Sequence, residues 1–76
     1  MSDHPYSGRD LPAFMTVEEA AKVLRIGRSK AYELTTEWER SGGRSGLPFI
    51  WIGRQKRVPR EAIIRMVRAL LGPDAA

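Results

Sequence analysis

The reactive inventory of this chain is almost wholly cationic, and its densest group is Arg54-Gln55-Lys56-Arg57, three positive charges in four residues. Such a cluster suits phosphate oxygens, which can neutralise several cations at once. A second group, Arg28-Ser29-Lys30 followed by Tyr32, Glu33 and Thr36, mixes a guanidinium, an ammonium, hydroxyls and a carboxylate. These are the side-chain types that meet phosphates and the edges of nucleic-acid bases. Catalysis has no comparable group. The single histidine is His4, there is no cysteine, and the carboxylates do not cluster, so nucleophile, general base and metal ligands are all lacking. The expectation is a binding protein and not an enzyme, with no catalytic residue, no metal and no cofactor.

The distribution of charge supports a polyanionic partner. Residues 1–39 carry five basic and seven acidic side chains, whereas residues 40–76 carry eight basic and two acidic, within a net charge of +4. At 76 residues one small domain is expected, and without disulfides its core must come from packing alone. The amino terminus lacks the basic-then-apolar order of a signal peptide, and no apolar run approaches a membrane-spanning length. A cytoplasmic protein with no membrane contact is the expectation.

The elements that must position these groups follow from local patterns. Residues 1–13, with Pro5, Gly8 and Pro12, read as a mobile arm. Thr16-Val17-Glu18-Glu19 has the form of a reciprocal capping box, and Val17, Ala20, Ala21 and Leu24 then repeat at helical spacing. Arg25-Ile26-Gly27 interrupts that period and predicts a tight turn. Ala31, Leu34 and Trp38 mark a second helix from Arg28. Ser41 to Gly46, with three glycines in six residues, reads as a flexible loop. Phe49 to Ile52 reads as a strand, Gly53-Arg54-Gln55 as a turn and Lys56 to Val58 as a return strand, which puts the basic cluster at a hairpin tip. Alternation predicts Ile50 and Ile52 facing inward, with Phe49 and Trp51 on the other face. Pro59 opens a third helix whose stripe is Ile63, Met66, Val67, Leu70 and Leu71, stopped by Gly72-Pro73.

Two short helices joined by a three-residue turn, followed by a basic hairpin and a third helix, describe a winged helix-turn-helix. The fold class is therefore α+β, mostly α, with three helices and a two-stranded hairpin wing. The domain is expected over residues 14–72, with a tail at 73–76. On this geometry Arg28, Ser29, Lys30, Tyr32, Glu33 and Thr36 face a DNA major groove, Arg28 being the guanine reader. Arg54, Gln55, Lys56 and Arg57 form the wing contact, and Thr16, Arg25, Arg44 and Arg60 are further candidates. The partner is double-stranded DNA.

Four motifs together carry a resemblance: Phe14 to Leu24, reading Phe-Met-Thr-Val-Glu-Glu-Ala-Ala-Lys-Val-Leu; Ser29 with Tyr32; Leu47-Pro48 with Ile52-Gly53-Arg54; and Arg57 to Ala62, reading Arg-Val-Pro-Arg-Glu-Ala. Over residues 14–71 the chain resembles the excisionase, or recombination directionality factor, family of MerR-like winged helix-turn-helix proteins, in its actinobacterial or actinophage form. The resemblance implies a factor that binds and bends attachment-site DNA, works with an integrase, and favours excision. A protein this small has too small a footprint for high specificity alone, so further copies along the DNA are expected. Small transcriptional regulators share the fold and form the alternative reading. Arg25 stands where the family has glycine and Gly27 where it has a capping serine, so a turn of different shape is expected. The stretch from Thr35 to Gly46 is longer than the family's usual link.

Other residues have readings of their own. Tyr32 is either a core residue or a phosphate donor, and Trp38 packs at the end of the second helix. Phe49 and Trp51, if exposed together, offer a protein-partner contact, which would make the chain an adaptor. His4 is read as inert, and Arg9 as an arm residue able to reach a minor groove.

Overall fold

The structure, a computed structural model, describes residues 11–72. Its elements in chain order are β1 (Phe14–Met15), α1 (Val17–Leu24), α2 (Arg28–Arg40), β2 (Ile50–Ile52), β3 (Gln55–Pro59) and α3 (Arg60–Leu71). This is the mostly helical α+β arrangement expected, with one addition. The sheet has three antiparallel strands in the order β1-β3-β2, because Phe14 pairs with Pro59 and Met15 with Val58. The expectations for His4, Arg9 and the tail at 73–76 lie outside the described residues.

The capping box of α1 forms as written in the sequence. The Glu19 amide donates to Thr16 Oγ1 at 3.0 Å, and the Thr16 amide donates to Glu19 Oε1 at 2.9 Å. The helix then buries Val17, Ala20 and Ala21. Arg25 ends it at φ 59° and ψ 45°, the left-handed conformation that a glycine adopts most readily. Arg25 thus carries, at the turn, a backbone conformation that glycine would adopt at less cost. Gly27 caps α2 with extended backbone and no side-chain hydrogen bond. A Cβ there meets nothing within 4 Å and its φ is −70°. Gly27→Ser should thus stabilise the fold by about 1 kcal/mol, through a new cap and a less flexible unfolded chain. A shifted denaturation midpoint at unchanged slope would show it; no shift would mean that the serine leaves the α2 amides uncapped.

The segment from Ser41 to Gly46 folds back on α2 and is not the free loop expected. Ser41 Oγ accepts from the amides of Arg44 and Ser45, each at 3.0 Å, and the Gly43 amide donates to the Trp38 carbonyl at 2.9 Å. Its glycines serve positive φ angles and close approach, at Gly46 above all. From there the Leu47 amide reaches the Leu34 carbonyl at 3.0 Å and delivers the chain to the core.

That core gathers Leu11, Met15, Ala20, Leu47, Phe49, Val58, Ala62 and Ile63 from α1, α3, β1, β3 and the connecting segments, with Leu34 and Trp38 of α2 packed against it. Three expectations change here. Leu11 is buried, and the Arg60 amide donates to the Ala13 carbonyl at 2.9 Å, so residues 11–13 pack against the body instead of belonging to a mobile arm. Phe49 points inward at 8% exposure while Ile50, Trp51 and Ile52 are 42%, 51% and 50% exposed, so neither isoleucine takes the inward place predicted for it. The face of β2 and β3 that carries Trp51 and Lys56 turns toward α2, and this decides the phase. Finally, α3 forms, but it rests on β3 through its first turns, burying Ala62 and Ile63, whereas Val67, Leu70 and Leu71 of its stripe are exposed. No helix among the described residues is long and apolar enough to cross a membrane.

Candidate nucleic-acid interface

The contact between α1 and α2 is built from small side chains. Val17, Ala21 and Ala31 form a separate buried cluster with Ile26 packed on it, and methyl-sized residues let the two helices meet closely. The opposite face of α2 is left outward. Arg28, Ser29, Lys30, Glu33 and Thr36 are all exposed, and a shallow depression along them continues to Glu37 and Arg40. Glu37 and Arg40 are not among the contacts expected from the sequence, although each lies four residues beyond one that is, Glu33 and Thr36. Lys30 Nζ lies 3.6 Å from Glu33 Oε1, and the Thr36 hydroxyl donates to the Tyr32 carbonyl at 3.1 Å.

Tyr32 is 38% exposed and is therefore not a core residue. Its hydroxyl donates to Glu18 Oε2 at 2.9 Å and ties α2 to α1. Arg28 Nε stands 3.7 Å from the same oxygen. Glu18 is held below the usual carboxylate range, first by a backbone amide hydrogen bond at the start of its helix, then by Tyr32, Arg28 and Arg57. The same bond raises Tyr32 above the usual phenol range, so the hydroxyl keeps its proton. A lowered folded-state pKa means that this link helps the fold above the ordinary carboxylate range and is lost as pH falls through the Glu18 value. Both groups are solvent-facing, which keeps the contribution small.

The hairpin turn is Gly53-Arg54, since Ile52 pairs with Gln55, and Gly53 supplies the positive φ of 64°. Arg54 and Gln55 are exposed at the tip. Arg57 is half-buried, its Nη1 donating to the Lys56 carbonyl at 2.8 Å and its Nη2 to Gln55 Oε1. Lys56 departs from the expected tip position: it turns inward, with Nζ donating to Thr35 Oγ1 at 3.0 Å. A groove lies between hairpin and helices, lined by Thr16, Glu18, Tyr32, Arg54 and Arg57.

The remaining candidates are dispersed. Thr16 Oγ1 accepts the Glu19 amide as a cap, which leaves its hydroxyl proton to donate. Arg25 is exposed at the turn and Arg44 in the folded loop beyond α2. Arg60 is half-buried, and its Nη1 donates to the Leu11 carbonyl at 3.0 Å and holds the chain before β1. Trp38 packs at the core edge as expected, with the Arg65 guanidinium 5.9 Å from its ring. Phe49 and Trp51 meet edge to face at 5.6 Å, and Trp51 Nε1 donates to Glu39 Oε2 at 3.1 Å. With Phe49 buried, the exposed aromatic pair behind the adaptor reading is not there. Among the described residues no group of three His, Cys, Asp or Glu side chains could hold a metal.

Comparison with known proteins agrees with this geometry. The helix-turn-helix domain family matches residues 14–70. A probable excisionase of Saccharopolyspora erythraea is 39% identical over 72 residues, which cover 92% of this chain and 66% of that protein. The chain thus spans just under two thirds of that relative's length. No solved structure matches.

Proposed function

The chain belongs to the helix-turn-helix domain family, and from that premise we propose that it is an excisionase-type DNA-binding protein, a recombination directionality factor that works beside an integrase. One observation carries the reading: the depression along the outward face of α2 and the groove beside the Arg54 hairpin tip adjoin, with Tyr32 lining both, so a helix and a basic wing are offered side by side. Arg28, Ser29 and Lys30 at the start of α2 enter the major groove, and Glu33, Thr36 and Arg40 follow along it. The amides of that first turn are uncapped by any side chain and favour a phosphate. Arg54, Gln55 and Arg57 meet the adjacent backbone, and the Thr16 hydroxyl and Arg25 add phosphate contacts. The role is positional and non-catalytic, and the resemblance to the probable excisionase supplies its purpose.

Bending a site smoothly costs on the order of 1 to 6 kcal/mol, more than one short helix and a small wing readily offset, so several copies bind in register along an extended site. The test combines three measurements. Circularly permuted fragments should migrate according to where the bound site lies, and adding the protein to an integrase reaction should raise excision over integration. Arg54→Gln together with Arg57→Gln should lower the slope of log affinity against log salt by about two units. Binding without bending, and excision that proceeds equally well without the protein, would replace this reading with that of a small transcriptional regulator.

A further inference from the structure

Lys56 is the wing cation whose amine turns toward α2, and its surroundings are unusual for a lysine. Its Nζ lies 4.8 Å from the centre of the Phe49 ring, 5.6 Å from Trp51 and 5.9 Å from Tyr32. The hydroxyl it meets, Thr35 Oγ1, belongs to a fully buried residue and already donates its proton to the Tyr32 carbonyl at 2.7 Å. Oγ1 therefore has only lone pairs to offer, and an ammonium, which has only protons, is its complement. Lysine is ordinarily free to leave such a seat for water. Here three ring faces and an acceptor hold the charge, and cation–π attraction strengthens as water is excluded.

The seat spans two elements. Phe49, Trp51 and Lys56 come from the hairpin and its approach, whereas Tyr32 and Thr35 come from α2. Trp51 adds a second tie to α2 through Glu39. We propose that Lys56 is a positioning residue that locks the wing onto the recognition helix and makes no phosphate contact itself. Its function is preorganisation: a wing fixed before binding loses less freedom on DNA than a swinging one. This rests on the reading of the hairpin as a DNA-contacting wing, and the experiment separates the two.

Salt-dependent titration on duplex DNA would be run for the wild type, Arg54→Gln, Lys56→Met and Thr35→Val. Methionine keeps the length and packing of lysine without its charge, and valine keeps the shape of threonine without the acceptor. Arg54→Gln should lower the salt slope by about one unit. Lys56→Met and Thr35→Val should each weaken binding about three- to tenfold while leaving the slope unchanged. In the folded wild type the Lys56 ε-methylene protons should be shifted upfield by the rings, and that shift should persist in the DNA complex. A slope lowered by one unit in Lys56→Met, or an upfield shift that vanishes on DNA, overturns the proposal and makes Lys56 a phosphate ligand. An unchanged slope in Arg54→Gln removes the wing contact altogether, and the positioning role falls with it.

Discussion

Gly46→Ala should destabilise the protein by about 3 to 5 kcal/mol, the largest effect expected of any single methyl group in this chain. Gly46 has φ +102°, where side chains are strained in any surroundings, and a Cβ built there would lie 2.4 Å from the Leu34 carbonyl oxygen and 2.7 Å from the Trp38 amide nitrogen. Both neighbours are backbone atoms of α2, so neither can rotate aside. Relief requires the segment to lift off the helix, which breaks the Leu47 amide bond to Leu34 and withdraws fully buried Leu47 from the core. Gly42→Ala is the matched control, with φ +68° and open space around its Cβ. It should cost about 1 kcal/mol, the conformational strain alone. In thermal melts of a domain this small, Gly46→Ala should lower the midpoint by more than about 12 °C and Gly42→Ala by about 4 to 8 °C. Equal midpoints would mean that the loop leaves α2 without penalty.

The same segment shows which parts of the fold could be read from the chain. Features closed within four residues were legible: the Thr16–Glu19 box, the turn after Ile52, though one residue shorter than the Gly53-Arg54-Gln55 expected, and the start of α3 after Pro59. The glycines of 42–46 were legible as glycines, yet their composition cannot distinguish freedom from close approach. That depends on what lies opposite, and here it is the backbone of α2. β1 is two residues long and carries no period, so only its pairing with β3 reveals it. The inward phase of Phe49 likewise depends on a partner, since β2 has three residues and either face was apolar enough to be buried.

The candidate interface divides along the same line. The outward residues of α2 follow from helical period and were found, while the interactions that restrain them were not. Glu18 and Tyr32 are 14 residues apart, and Lys56 and Thr35 are 21 apart, so neither bond leaves a local signature. A buried threonine on a helix face reads as polar surface until its lysine is known. The bond from Arg60 to the Leu11 carbonyl, 49 residues earlier, likewise leaves no local signature.

The central claim is that the start of α2 reads DNA, and Arg28 is the residue on which it turns. Arg28 side-chain exposure is 74%, and its Nε faces Glu18 Oε2, which steadies one edge of the guanidinium. The terminal amino groups remain for the two acceptors that guanine presents in the major groove, a bidentate contact worth about 1 to 3 kcal/mol of discrimination. The position also lies at the uncapped first turn of α2, where a bound phosphate would fix its approach. The decisive measurement is a paired titration of wild type and Arg28→Ala on a duplex enriched from random sequence by repeated binding, and on unselected duplex at the same salt. The wild type should prefer the enriched duplex, and Arg28→Ala should lose about 1 to 3 kcal/mol there and little on the unselected one. A wild type that binds neither duplex, or an Arg28→Ala loss equal on both, would contradict the account.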